Sequence, residues 1–562
     1  MKENNENRHG NHGVARRRPV TWSIAPAALL MGMVGAGCGD DSSGPEFTKL
    51  DGGRDAPVMV PDAPVMGPDA PVMGPDAPVM GPDAPVMVPD APVMGPDAPV
   101  IGIDGPVTGV DGPVTGVDGP VVGIDGPVTP IDTAAPFVCR NDMVPAPAEI
   151  TVDTTWPCNT YVLNGITAIG NGATLTIAAG STIYGNSQDN TNPAVVVAKR
   201  DGRLVAVGTK EHPIVFTSIL PAGTRVPGDS LAGVALLGKA TINNGTCQGD
   251  PNPATPECEA PGFLQSNIEG LVADDPRGQY GGTDDTHDCG ELKYVRVEFA
   301  GSLVGPDNEL NGITLGACGS KTKMSYLQVH RGFDDGIEFF GGTTSLDHVV
   351  LSGNTDDNLD WDNGWRGKVQ FLIVHQGYSK GDKGFEGDNL GGAETAVPRS
   401  SPEIWNATLI TEPGSTHIGM HLREGTLYKL RNFVVLNFGG GVLDADAVTV
   451  VPANDWPTLI SVENSVFFGG AVGAPDTAKD NDKGFDENAA LLDAARMNTS
   501  TVDPQITSIA FPSPNYVPMN AAAVSGKATP PAGMDVTATY AGAVAPGDTA
   551  PWYAGWTSFP TN

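Results

Sequence analysis

The chain has 562 residues, with 73 Gly and 50 Pro, and 66 acidic against 32 basic residues give a formal net charge of −34. Phosphate recognition needs clustered Lys and Arg, so this balance excludes a nucleic-acid-binding protein. No apolar run reaches the roughly 20 residues of a membrane-spanning helix, which excludes a polytopic membrane protein.

Residues 1–37 are predicted to be an export signal. Arg16, Arg17 and Arg18 precede an apolar stretch from Ile24 to Val34, and the small residues Gly35, Ala36 and Gly37 lead to Cys38. A basic region, an apolar core and small residues before a cut is the order of a secretory signal. The Gly-Ala-Gly-Cys run resembles the lipobox of bacterial lipoproteins. That resemblance implies lipidation of Cys38, attachment to a membrane through the lipid, and an address at the outer membrane or cell surface.

Residues 38–136 read as an acidic linker. Eleven seven-residue repeats start at Asp55 and recur to Asp125, first as Asp-Ala-Pro-Val-Met-Gly-Pro and later as Asp-Gly-Pro-Val-Thr-Gly-Val. A heptad suggests a coiled coil, but the Pro in every repeat removes a helical hydrogen bond and clashes with the preceding turn. Extended polyproline-like chain remains, at about 3.1 Å per residue, with a reach on the order of 200 Å.

Six cysteines follow Cys38, an even number that suggests disulfides in an exported chain. They allow about 15 pairings. Short separations favour Cys139–Cys158, Cys247–Cys258 and Cys289–Cys318, and the absence of CxxC spacing argues against a zinc site.

Residues 137–562 are predicted to be all-β. Short β-branched runs such as Thr174-Leu175-Thr176-Ile177 and Val195-Val196-Val197 are punctuated by Gly and Asn. Internal repetition narrows the architecture. Gly312-Ile313-Thr314-Leu315, Gly336-Ile337-Glu338-Phe339, Asn358-Leu359-Asp360-Trp361 and Gly384-Phe385-Glu386-Gly387 are spaced 24, 22 and 26 residues apart. A second set, containing His330, Ser352 and His375, keeps intervals of 22 and 23. Coils of nearly constant length with strands at equivalent places predict a parallel β-helix. Gly172 to Ser181, Gly202 to Ser218, Tyr294 to Gly301, Asn308 to Gly316 and Asp334 to Gly342 resemble bacterial surface proteins with a right-handed parallel β-helix. The likeness runs from about Glu149 to Phe559 and implies a fold and a cell-surface setting rather than a reaction.

The densest acidic region contains Asp334, Asp335, Glu338, Asp356, Asp357, Asp360, Asp362, Asp382, Glu386 and Asp388. The spacing puts Glu338, Asp360 and Glu386 on successive coils, with Asp335, Asp357 and Asp382 in a neighbouring row. Carboxylates about 5 Å apart repel, so the rows need a cation, protons or solvent. Calcium suits them, because it takes about six to eight oxygen ligands in flexible geometry. Asp335, Glu338, Asp357, Asp360 and Glu386 are therefore the candidate metal ligands, and solvated ridges are the alternative. His421 falls where earlier coils carry an acid. Arg331, Arg366 and Arg423 lie nearby in sequence, and Phe339, Phe340, Trp361, Trp365 and Tyr378 are either a sugar-binding surface or core. The function expected is a surface-exposed binding or structural module with a polysaccharide or other cell-surface ligand. The alternative is a polysaccharide lyase or glycoside hydrolase on the same fold, with no catalytic residue assigned.

Overall fold

The computed structural model describes residues 137–247, 264–272, 275–305, 308–377, 381–475 and 481–562. The predicted signal, Cys38 and the repeat linker lie outside the described residues, as do Cys258 and Tyr378. The described part is a parallel β-helix. A 16-stranded sheet (sheet A) and a 10-stranded sheet (sheet B) are built almost wholly from parallel pairs between successive coils. In sheet B, Ile337 pairs with Leu359, and Phe385 with Leu359 and Met420, so the predicted register is the register observed.

Alternation within the strands sorts the side chains. On successive coils of sheet B, Ile337 and Phe339, Leu359 and Trp361, Phe385, then Met420 and Leu422 point inward and join one continuous core. Phe339 stacks on Trp365 at 3.9 Å between ring centroids, and Trp361 lies 6.0 Å from Trp365. These aromatics are core, and their indoles are satisfied internally by Thr426 and the Thr344 carbonyl. Phe340 faces the opposite way, where Tyr280 covers it.

Two corners fix the coil shape. At the start of sheet B the coils approach so closely that a Cβ on Gly336 would lie 2.5 Å from the Asn358 carbonyl, and one on Gly384 would lie 2.4 Å from that of Gly419. The glycines noted as repeat markers are therefore required by stacking. Sheet A bends at a column of left-handed residues, Tyr294, Tyr326, His348, Phe371, Asn406, Asn432 and Asn464, with φ from 50° to 61°. Asn tolerates that conformation. The aromatic members offset its strain by stacking, with Tyr294–Tyr326 at 4.5 Å and Tyr326–His348 at 4.4 Å.

Three additions decorate the coils. Residues 239–289 interrupt the sequence between the sheet B strand Gly233–Leu237 and the sheet A strand Gly290–Glu298. They pack Ile242, Ile268, Leu271 and Tyr280 on the outward apolar face formed by Val195, Val197, Ala235 and Leu237. A short helix, Glu487–Leu492, closes the last coils with a buried Leu491. The third addition is residues 503–562, which lie along the outer face of sheet A. Their Tyr516, Val517, Val524, Ala541, Tyr553 and Phe559 cover Val350, Ile373, Ile410, Val434 and Val466. Bonds run the length of this segment: Asn432 to the Ala528 carbonyl, Asn406 to the Tyr540 carbonyl, Arg296 to the Trp556 carbonyl, and Gln328 to both the N–H and the carbonyl of Ser558. It ends where Gly223 donates to the Asn562 carbonyl. Phe137, the first described residue, stacks on His212 at 3.8 Å.

Two of the three expected disulfides are present, Cys139–Cys158 and Cys289–Cys318, with Cα atoms 4.9 and 5.8 Å apart. The first staples the opening coil; the second is buried in the main core.

Candidate functional site

The outward face of sheet B carries the site. Strand alternation that turns Ile337 and Phe339 inward turns Glu338 outward, and the same holds for Asp360 and Asp362, Glu386 and Asp388, His421 and Arg423, then Asp444 and Asp446. Register pairs Thr314 with Glu338, Glu338 with Asp360, Glu386 with His421, and His421 with Asp444. One ladder therefore runs Thr314, Glu338, Asp360, Glu386, His421, Asp444, with rungs about one strand spacing, ~4.8 Å, apart. His421 stands in the acid row, as its sequence position indicates.

A second column stands at the corner that precedes the strands. The Asn311 side-chain oxygen accepts from the Asp335 N–H at 3.2 Å, Asp335 from the Asp357 N–H at 2.9 Å, and Asp357 from the Lys383 N–H at 2.7 Å. Each side chain thus holds the next coil. The fourth member is Lys383 and not Asp382, which corrects the expected row. Asp382 stands one place earlier, in line with Asp334 and Asp356, and its side chain is 47% exposed. Aligning the glycine of Asp335-Gly336 with that of Lys383-Gly384 identifies the right residue; counting acids does not.

The two halves of the face differ in charge. On the later coils the chain supplies its own cations. Lys383 Nζ lies 3.7 Å from Asp357, 2.5 Å from Asp382 and 3.4 Å from Glu386. Arg423 lies 2.5 Å from Glu386 and 3.1 Å from Asp388, and His421 lies between Glu386 at 3.7 Å and Asp446 at 3.1 Å. Burial pushes the Glu386 carboxyl up, but Lys383 and Arg423 outweigh it and hold it at about 2. Asp388, buried with less compensation from Arg423, is raised to about 6.

The earlier coils are different. Burial raises Asp334, Asp335 and Glu338 well above the carboxylate range, and the charged neighbours that weigh most on all three are other carboxylates. Asp360, buried beside Glu386, Asp388 and Asp362, is raised too, with Arg423 opposing. Two acids that the sequence reading missed add to the crowd. Glu269, from residues 239–289, hydrogen-bonds Glu338 and is raised to about 7 by burial, and Glu309, from the hairpin Ser302–Leu310, lies close enough to raise it further. The Asn311 amide donates to Glu338 at 2.5 Å. Both acids sit in additions that break the coil period, so periodicity does not point to them.

Ligand oxygens of Asp334, Asp335 and Asp356, and of Asp335, Glu338 and Asp360, come within 4.8 Å of one another in each group. Such hard oxygen donors, several to a site and borne on different coils, fit calcium. Asp335, Glu338 and Asp360 are the candidate ligands that the structure brings together here, whereas Asp357 and Glu386 lie on the Lys383 side. Among the described residues two further groups, Asp356 with Asp357 and Asp382, and His421 with Asp444 and Asp446, meet the same distance condition.

Residues 148–502 match the family model of a pectate-lyase-like β-helix domain. The chain belongs to that family. No curated protein and no solved structure matches it. The charged ladder lies wholly within the matched span of the pectate-lyase-like domain, whereas the C-terminal segment along sheet A, residues 503–562, lies wholly beyond it.

The cations of this pectate-lyase-like domain are poor bases. Burial lowers the pKa of Arg423 and of Lys383, but their ion pairs outweigh that and raise both well above the ordinary range. A side chain that abstracts a proton must be able to release one, and these two are held charged. Arg366 pairs with Asp285 at 3.1 Å, away from the ladder. The carboxyls offer more. Asp360, raised by burial and neighbouring carboxylates, and Glu386, held low by Lys383 and Arg423, occupy adjacent rungs, and environments that split two carboxyls in this way suit one to donate a proton and the other to act as nucleophile or base.

Proposed function

We propose that the domain is a calcium-binding module that recognises polysaccharide at a cell surface. One observation carries the reading: Asp335 and Glu338 are buried, with half-buried Asp334 and Asp360 beside them, and mainly carboxylates are their charged neighbours, while the next two coils supply Lys383 and Arg423 to neutralise their acids. A bound cation would relieve that repulsion and give carbohydrate oxygens a hard Lewis-acidic partner. Asp335, Glu338 and Asp360 would hold it, with Asp334, Asp356 and Glu269 within the same crowd. Calorimetric titration of chelated protein should show calcium binding that Glu338→Gln with Asp360→Asn abolishes, with magnesium binding more weakly because it demands stricter octahedral geometry. Heat-silent titration of wild type with calcium would sink the reading.

The split between Asp360 and Glu386 favours a second reading, a glycoside hydrolase. Rungs ~4.8 Å apart approach the roughly 5–5.5 Å carboxyl separation of retaining glycosidases. Release of reducing ends from a polysaccharide, lost in Glu386→Gln while calcium binding persists, would establish it over the binding module.

The export signal supports attachment through lipid on Cys38, with the linker carrying the domain outward. Among the described residues no helix is long and apolar enough to cross a membrane. Cys38→Ser is expected to abolish palmitate labelling and move the protein into the soluble fraction; unchanged labelling would refute the anchor.

A further inference from the structure

The strip of sheet A beneath residues 503–562 contains two histidines that the ladder on sheet B does not use. His330, Ser352 and His375 occupy equivalent positions on three successive coils, paired in register. All three are fully buried. His330 Nε2 donates to the Pro560 carbonyl at 2.8 Å, which leaves Nδ1 to accept from the Ser352 hydroxyl, also at 2.8 Å. His375 Nδ1 meets the Tyr516 hydroxyl at 3.0 Å, and its Nε2 has no hydrogen-bond partner. Phe511 covers both imidazoles, with ring centroids 4.5 Å from His375 and 5.3 Å from His330, and Phe559 lies 5.7 Å from His330. Pro560, Tyr516, Phe511 and Phe559 all belong to the C-terminal segment. Each imidazole therefore bridges the coils and the segment in its neutral form.

We propose that residues 503–562 are a clasp that opens in acid, with His330 and His375 as the groups whose protonation opens it. A second proton on His375 would create a buried N–H directed at no acceptor, and a second proton on His330 would put a charge beneath Phe511 and Phe559. Both charges regain water only if the clasp lifts.

The surroundings reinforce that direction. Burial lowers His330 to about 4, and the charged side chains that weigh on it, Arg331 and Arg296, push the same way, while the Pro560 carbonyl and Ser352 oppose. Burial lowers His375 to about 3, and His330 adds to it. The other titratable groups facing the two imidazoles are Tyr516 and Tyr553 on the clasp, both raised by burial and neutral in this range, and Glu298, one coil before His330 in the same row; Asp535, Tyr540 and His348 lie elsewhere along the clasp. Glu298 is raised by burial despite Arg296 at 3.0 Å, so its protonation in acid favours the folded coil and opposes opening. The imidazoles are held neutral, so closure is fully favoured above the free-imidazole pKa of about 6.5. It weakens as pH falls from there towards 4 and 3. Each pH unit in that window multiplies the opening equilibrium by about tenfold per imidazole.

Hydrogen exchange of the full chain, corrected for intrinsic chemical rates, tests this between pH 6.5 and 4.5. Peptides from 503–562 should open at least tenfold more readily at pH 4.5, while those from 313–362 keep their protection. His330→Gln with His375→Gln should remove that pH step while leaving protection at pH 6.5 in place. A flat wild-type profile, or a step that survives in the double variant, overturns the proposal. Should the double variant lose protection at pH 6.5, imidazole titration of wild type by NMR decides. Both rings must titrate well below 6.5, and an ordinary value for either overturns the proposal.

Discussion

Chelating divalent ions from the protein at neutral pH is expected to lower its melting temperature, and added calcium is expected to restore it. A ligand that binds only the native state, at a thousand times its dissociation constant, stabilises by about 4 kcal/mol. For a domain of roughly four hundred residues that corresponds to ~5 °C. The shift should vanish when Glu338→Gln, Asp360→Asn and Glu386→Gln are combined. It should also exceed the effect of potassium at equal ionic strength, since screening acts on any exposed charge. An identical response to potassium, or none to calcium, would mean that the buried acids share protons instead of a metal ion.

The second large effect is expected at Lys383. Its side chain is 8% exposed, and its ammonium group faces the side chains of Asp357, 2% exposed, and Glu386, 14% exposed. Breaking a buried ion pair by removing one partner costs about 3–5 kcal/mol, because the remaining charge stays buried without compensation. Lys383→Met keeps the length and apolar bulk of the stem, so chemical denaturation of this variant measures the charge and not a cavity. A loss below about 1 kcal/mol would show that Asp357 and Glu386 relax towards water or take up protons without cost.

Much of the fold is legible in the chain because stacking demands it. Coils that hydrogen-bond along their length need similar residue counts, which is why Gly312, Gly336, Asn358 and Gly384 recur at 22 to 26 residues and place Glu338, Asp360 and Glu386 on one ladder. The same logic locates His421 despite the intervening insertion. It fails wherever the period breaks. Glu269 and Glu309 reach the acidic face from additions whose lengths follow no repeat, so only three-dimensional packing brings them to Glu338. Lys383 is displaced by one place because Asp382 is the more conspicuous residue, whereas the glycine that follows is what fixes the corner. Trp361 and Trp365 lie among acids in sequence, yet strand alternation sends them inward. The clasp leaves no periodic signature at all: it crosses many coils, taking one or two bonds from each.

That crossing sets how the domain responds to a pull. Among the described residues, Phe137 rests on His212 and Asn562 meets Gly223, two contacts that flank one strand of sheet A, Ile214–Ser218. Force applied between Phe137 and Asn562 therefore does not travel the length of the stack. It falls first on the last stretch of the clasp, and the bonds at Asn562, Pro560, Ser558 and Trp556 are loaded in turn, like the teeth of a zip. Sequential loading yields at lower force than shear of all the bonds together. Extension should thus begin with the clasp peeling away, while the parallel coils, each held by both sheets, remain intact behind it.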